Sequence, residues 1–290
     1  MDLHRATRDL HAGTTERPLA RFGPERTDGT AEPLDVVAVE EPLEIRIDGE
    51  PIAITMRTPG QDERLAVGFL FAEGLIGGPG DLASVAHCGR PGEEGYGNVI
   101  EVKAAPGVGV ELLRVLDSRR FGIVTAACGV CGRRTIDDLL KRCQPLPAAG
   151  AALAKAQVVR AVDSLRALQP NFARTGGIHA AALFAQDGGL LTAQEDIGRH
   201  NAVDKAIGDL LYRGLGGAGA SGPGPALLVV SGRASFEIVQ KACMARVPVV
   251  ASVSAASSLA IDLAAAAGLT LIGFVRAGSL NVYTHPERLS

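Results

Sequence analysis

The segment Leu227-Leu228-Val229-Val230 is an unbroken apolar run flanked by turn residues. Such a run suits a strand covered on both faces, the condition of a parallel sheet. The elements C-terminal to it fix the topology. A helical pattern covers Phe236–Arg246, an apolar run Val249–Val253, a second helical pattern Ser257–Ala267, and a third run Leu269–Val275. The order β-α-β-α-β implies parallel strands joined by right-handed crossovers. Upstream, His179–Ala185 and Leu190–Gln194 predict a hairpin about Asp187-Gly188-Gly189. Helical spacing covers Val158–Leu168 and Asn201–Tyr212, with Asn201 as the N-cap and Asp204 in the first turn.

The first half is less regular. Val36–Val39, Leu43–Ile47 and Ile52–Met56 read as strands, the last two joined at Asp48-Gly49, a type I′ signal needing positive φ at both residues. Asp62 is expected to cap a helix reaching Glu73, with Gly74 just past its end. Val85–Cys88 and Val99–Val102 suggest short strands, and Val110–Ser118 and Ile136–Arg142 suggest helices. Two prolines and a glycine come after Gln144 and mark a linker. Residues 1–32 are polar and aperiodic and read as a disordered tail. The expected organisation is a tail (1–32), a smaller α+β N-terminal subdomain (33–145) that includes the Cys128 loop, and an α/β domain (146–290).

Composition excludes several classes. A net charge of −3 lacks the basic excess of a nucleic-acid binder. A hydrophobic fraction of 47% is incompatible with a disordered chain. Aromatics at 4%, without Trp, leave no stacking platform for single strands. No run is long enough for a membrane span, and no apolar region succeeds the N-terminus as in a secretory signal. The expectation is a cytoplasmic protein without membrane partners. Five cysteines, an odd number, do not form a disulfide framework in such a chain.

Cys128-Gly129-Val130-Cys131 is the most informative local feature. Arg119, Arg120, Arg133 and Arg134 flank it, and cations favour the thiolate, the nucleophilic form. Four readings stay open on spacing alone. A structural zinc site needs two more ligands, for which only Cys88, Cys143 and His87 are at hand. A thioredoxin-like redox pair fits the local order strand, Cys-x-x-Cys, helix. A buried thiol pair and a sulfur-handling nucleophile complete the set. Zinc-dependent deamination fails, because it needs H-x-E and P-C-x-x-C. Gly89, Ala181 and Ala202 stand two positions after His87, His179 and His200, and Ala127 precedes Cys128. Gly214-x-Gly216-x-x-Gly219 comes after a helix instead of a strand and reads as a surface loop.

Polar residues also gather in Thr175–His179 and Glu195–Asn201. A plain account is available, with Asn201 capping and Asp196 pairing with Arg199. Two histidines and an arginine at glycine-bearing turns equally suit a ligand. Ser231–Ser235 and Ser252, Ser254, Ser257 and Ser258 succeed strands and open helices. Open α/β sheets bind ligands beyond their carboxyl ends, where free N–H groups attract phosphate. Arg233 and Arg276 could add charge-assisted bonds. Ordinary capping by serine explains part of this, and its repetition over adjacent strand ends favours an anionic ligand.

Taken together, Cys128–Gly132, Thr175–His179, Glu195–Lys205, Ser231–Glu237, Gly273–Arg276 and Asn281–Thr284 closely resemble, in this order, the FdhD/NarQ family of formate dehydrogenase accessory sulfurtransferases. The resemblance covers about residues 33–290. It implies a cytidine-deaminase-like three-layer C-terminal fold and a homodimer. It implies transfer of persulfide sulfur from a cysteine desulfurase to the molybdenum cofactor, bis-molybdopterin guanine dinucleotide, as formate dehydrogenase requires. Under it, Cys128 bears the persulfide and Cys131 assists. Phe274, Val275, Arg276, Ala277, Gly278 and Ser279 form the cofactor-binding segment, with GDP as a partial mimic. His179, Arg199, His200 and Arg233 fall in shared motifs and are further candidates for cofactor contact. The rival readings are a non-catalytic cofactor-binding chaperone and a zinc-stabilised interaction protein.

Overall fold

The computed structural model describes residues 13–19, 34–90, 93, 96–107, 124–125, 136–143, 145–147, 152–216 and 224–290. Alternation of side chains builds the larger sheet, of order β13-β12-β11-β10-β8-β9. Its members are β8 (His179–Phe184), β9 (Leu190–Asp196), β10 (Leu227–Val230), β11 (Val249–Ser252), β12 (Thr270–Arg276) and β13 (Ser279–Val282). β10, β11 and β12 are parallel, as the apolar runs require, and β8 and β13 run antiparallel to their neighbours. Ala180, Ala182, Leu227 and Val229 face one way, against helix α3 (Lys155–Leu165). Ala181, Leu183, Leu228 and Val230 face the other way, toward α5 (Arg199–Tyr212), α6 (Phe236–Met244) and α7 (Ser258–Ala267). The result is a three-layer α/β/α arrangement.

The first half supplies a five-stranded sheet of order β5-β6-β3-β4-β7. Its strands are β3 (Glu41–Ile47), β4 (Glu50–Arg57), β5 (Leu82–His87), β6 (Val99–Ala104) and β7 (Val124–Thr125). The β3–β4 turn has φ of 49° at Asp48 and 85° at Gly49, as the sequence predicts. Leu43, Ile45, Ile47, Ile100 and Val102 share a core with Leu65 and Leu70 of α1 (Asp62–Ala72) and with α5. Helix α2 (Ile136–Cys143) joins this core through Leu139.

The two halves meet where α1 crosses α5, without intervening side chains. A Cβ on Gly68 would lie 1.9 Å from the Asp204 carbonyl oxygen, and one on Gly208 would lie 2.0 Å from that of Arg64. Only hydrogen fits at either position.

Several expectations are corrected. Thr14–Pro18, inside the segment read as a disordered tail, is a strand (β1) paired antiparallel with β2 (Leu34–Ala38). Asp62 does not cap α1. Gln61 is the N-cap, and the buried Asp62 accepts from Arg57 Nη2 at 2.9 Å. Helix α5 starts two residues before Asn201, with Gly198 as its N-cap. Like β1, the strand β13 and the short helix α4 (Pro170–Thr175) have no sequence signal. Residues 110–118, read as a helix, lie outside the described residues.

Gly208→Ala is expected to destabilise the protein by about 3 kcal/mol, at the upper end of ordinary overpacking, because backbone must move. Urea unfolding of purified protein measures it. A loss within about 0.5 kcal/mol, the scale of a neutral surface change, would contradict the close crossing.

Candidate functional site

Register brings the sequence candidates to one edge of the six-stranded sheet. His179 pairs with Asp196, and Val230 pairs with both Ala181 and Ser252. The start of β8 and the ends of β9, β10, β11 and β12 therefore lie together, as the strand-end rule anticipates. Serines knit this edge. Ser231 Oγ accepts from Ala180 N at 2.8 Å, and Ser252 Oγ donates to the Gly232 carbonyl at 2.7 Å. Ser254 links β11 to β12 by accepting from Phe274 N at 3.0 Å. The capping account holds for Ser257, whose side chain accepts from Ala260 N at 3.3 Å. Ser235, at the N-cap of α6, has another partner.

That partner is His200. Its Nε2 lies 3.0 Å from Ser235 Oγ, and its Nδ1 lies 3.0 Å from Glu237 Oε2. Burial, with Arg199, Lys241 and His179 nearby, drives the imidazole pKa down to about 3. The ring is therefore neutral. Nδ1–H donates to the carboxylate, and Nε2 accepts the serine hydroxyl proton. Burial and then Arg199 also lower His179, with Asp196 opposing them. A Cβ on Gly232 would lie 3.2 Å from His179 Nδ1 and 3.5 Å from Arg199 Cβ, so both side chains stand against the Ser231–Arg233 turn. Among the described residues, the buried Arg199 Nε has no hydrogen-bond partner.

The 274–279 segment is backbone-strained. Phe274 has φ 53° and Ala277 φ 49°, the left-handed region that non-glycine residues rarely enter. A register shift falls between Gly273 and Arg276. Val275 is buried, while Phe274, Arg276, Ala277, Gly278 and Ser279 are exposed, as is Arg233. Strain of this kind persists only where surrounding structure imposes it, and it clusters at ligand clamps.

Much of Glu195–Lys205 holds the fold together. Asp196 pairs with Lys205 at 2.7 Å, correcting the expected Arg199 partner. It also accepts from Gly198 N, Asn201 Nδ2 and Thr58 N. Asn201, read as a cap, donates to the Met56 carbonyl at 2.7 Å and accepts from Thr55 Oγ1 at 3.1 Å. Glu195 accepts from Asn171 N and Phe172 N, at 2.9 and 2.8 Å, and so caps α4. Sequence reading missed Glu237, although it stands two residues after Ser235 in the first turn of a predicted helix.

Cys128 and Cys131 lie outside the described residues. Among the described residues, no group of three or more His, Cys, Asp or Glu is placed to hold a metal ion. Cys143, a candidate zinc ligand, meets Cys243 between α2 and α6, and the hydrogen bond from the free Cys243 thiol lowers its pKa.

The buried neutral state of His200 gives a signed pH effect. An unfolded histidine takes a proton near its ordinary 6.5, whereas the folded ring resists until about 3. Stability is thus complete above 6.5 and is lost as pH falls toward 3. His200→Gln is expected to flatten the fall in Tm between about pH 6.5 and 4. An unchanged slope would contradict the neutral assignment.

Comparison with known proteins agrees with the motifs. The FdhD/NarQ family model matches residues 38–290. The sulfur carrier protein FdhD of Anaeromyxobacter dehalogenans strain 2CP-1 is 60% identical over 256 residues, 88% of each chain. That of Mycobacterium tuberculosis is 48% identical, over 88% of this chain and 92% of its own. A crystal structure of a protein from Desulfotalea psychrophila, assigned as a formate dehydrogenase accessory protein, superposes with a TM-score of 0.70 at 25% identity, covering 96% of this chain and 99% of the other. This chain belongs to the FdhD/NarQ family.

Proposed function

We propose that this chain is a sulfurtransferase that accepts persulfide sulfur on Cys128 and passes it to the molybdenum cofactor of formate dehydrogenase. The observation that carries this reading is membership of a family whose close relatives are sulfur carrier proteins. In the first step the Cys128 thiolate attacks the terminal sulfur of a cysteine desulfurase persulfide. A new S–S bond forms on Cys128, the old one breaks, and the desulfurase leaves as a thiolate. Cys131, three residues away, serves to assist or exchange.

The acceptor is bis-molybdopterin guanine dinucleotide, held at the carboxyl edge. Arg276 and Arg233 supply charge-assisted bonds for its phosphates. Exposed Phe274 and the strained turn Ala277–Ser279 shape the contact, and His179, Arg199 and His200 border it. The three-layer domain is cytidine-deaminase-like, keeping the fold without the zinc chemistry. The subdomains divide near residue 145 while sharing the core around α1 and α5. A homodimer places two such edges within reach of a two-armed ligand. The protein works in the cytoplasm with a desulfurase and formate dehydrogenase as partners. Among the described residues no helix is long and apolar enough to cross a membrane.

Two measurements test this. Mass spectrometry after incubation with a cysteine desulfurase and cysteine is expected to find one added sulfur on Cys128, absent from Cys128→Ala. No added sulfur on either cysteine, with an active desulfurase, would favour a cofactor-binding chaperone. By calorimetry GDP is expected to bind, and Arg276→Ala to weaken it by about 1.5–3 kcal/mol, the scale of a hydrogen bond to a charged group. Equal affinity would displace the phosphate site from this segment.

A further inference from the structure

A cleft of about 540 Å³ opens between α3, α4 and the carboxyl edge. That volume lies within the ordinary range for small-molecule sites. Its apolar surface comes from Val162, Leu165, Ile178 and Val253. Gln169 also lines it, at 5% exposure, and the buried Nε2 of its amide has no hydrogen-bond partner among the described residues. Burying such a group unsatisfied is costly, so native folds seldom retain one without a reason.

The polar wall is as specific. The Arg166 guanidinium lies 4.2 Å over the Phe172 ring. Stacking holds the cation in place and leaves its planar fork of N–H groups available to an anion. Glu195 fixes Phe172 through its two bonds to the start of α4. The wall is therefore built before any ligand arrives. Among the described residues no carboxylate lines the cleft, and His179 and Ser231 belong both to it and to the carboxyl edge.

We propose that this cleft seats a planar heterocycle with a lactam edge, the N–H and C=O pair common to guanine and pterin, read by the Gln169 amide. The amide donates from Nε2 to the ring oxygen and accepts from the ring N–H. The apolar residues cover the ring faces, and Arg166 meets a phosphate at the mouth. This rests on the reading of a guanine-nucleotide cofactor at the carboxyl edge. It assigns base recognition to residues outside the 274–279 segment.

Calorimetry with GDP, ADP and 6-carboxypterin, on the wild-type chain and on Gln169→Leu, tests the assignment. GDP or the pterin is expected to bind the wild type, and Gln169→Leu to weaken that binding at least tenfold. A change confined to GDP identifies guanine as the occupant, and one confined to the pterin identifies the pterin. Should Gln169→Leu fail to fold, photo-crosslinking of 6-thio-GDP to the wild-type chain replaces it, with the adduct expected within residues 166–179. Wild-type affinity in Gln169→Leu, an equal loss for ADP, or an adduct mapping elsewhere would overturn the assignment. If Arg276→Ala weakens GDP while Gln169→Leu does not, the base site falls and the cofactor reading stands. If neither GDP nor the pterin binds the wild type, both fall.

Discussion

The contact on which the rest of the molecule depends is the crossing of α1 over α5 at Gly68 and Gly208, where backbone meets backbone. It sets the distance between the five-stranded sheet, whose apolar face rests on α1, and the six-stranded sheet, which α5 covers. Helix α5 begins at the carboxyl edge, so its first turn carries Arg199 and His200 into the candidate site. A shift of the crossing would move those residues with the helix. Polar contacts secure it in register. Arg64 of α1 meets Asp209 of α5 at 2.6 Å, and Lys205 of α5 donates to the Thr58 carbonyl, just ahead of α1, at 2.8 Å.

The buried charges in this region are better understood as specifying geometry than as adding stability. A buried ion pair often contributes little net free energy, since desolvation offsets attraction, yet loss of one partner costs about 3–5 kcal/mol. Asp196–Lys205 ties α5 to β9, and Lys205 Nζ also donates to the Thr58 carbonyl at 2.8 Å, reaching the other half of the chain. Asp204–Lys241, at 2.7 Å, ties α5 to α6. Within one motif, Glu195, Asp196, Asn201, Asp204 and Lys205 therefore fix positions, and Arg199 and His200 are left beside the segment Gly232–Glu237. A dense polar motif is here mostly a frame around a few candidate site groups.

That division explains which features were legible in the sequence. The β-α-β-α-β core could be read because Leu227–Val230 and its successors are apolar on both faces, and the Asp48-Gly49 turn because its φ values demand those residues. Thr14–Pro18 is a polar strand whose partner, Leu34–Ala38, lies well downstream, so no local pattern announces it. Helix α4 has six residues and depends on Glu195, more than twenty positions away. Asn201 looks like a cap by type, but Thr55 and Met56 claim its side chain from the other half of the chain. In the site, His179, Arg199, His200 and Arg233 were visible as motif members. Gln169, Arg166 and Phe172 carry no motif and become a wall only through packing.

The charge of the edge has the same origin. Lys205 neutralises Asp196, and the neutral His200 engages Glu237, so the acidic groups nearest the strand ends are occupied. Arg199 Nε has no partner among the described residues, while Arg233 and Arg276 reach solvent. A chain of net charge −3 thus presents a locally cationic edge. Such an edge, bordered by an apolar cleft holding one buried amide, matches an anion joined to a flat polar ring. It does not match a purely apolar ligand, which would leave the arginines unpaired, or a simple anion, which would leave the cleft unfilled. The pairing of the two surfaces, more than either alone, argues for a nucleotide-bearing ligand in a sulfur-transfer protein.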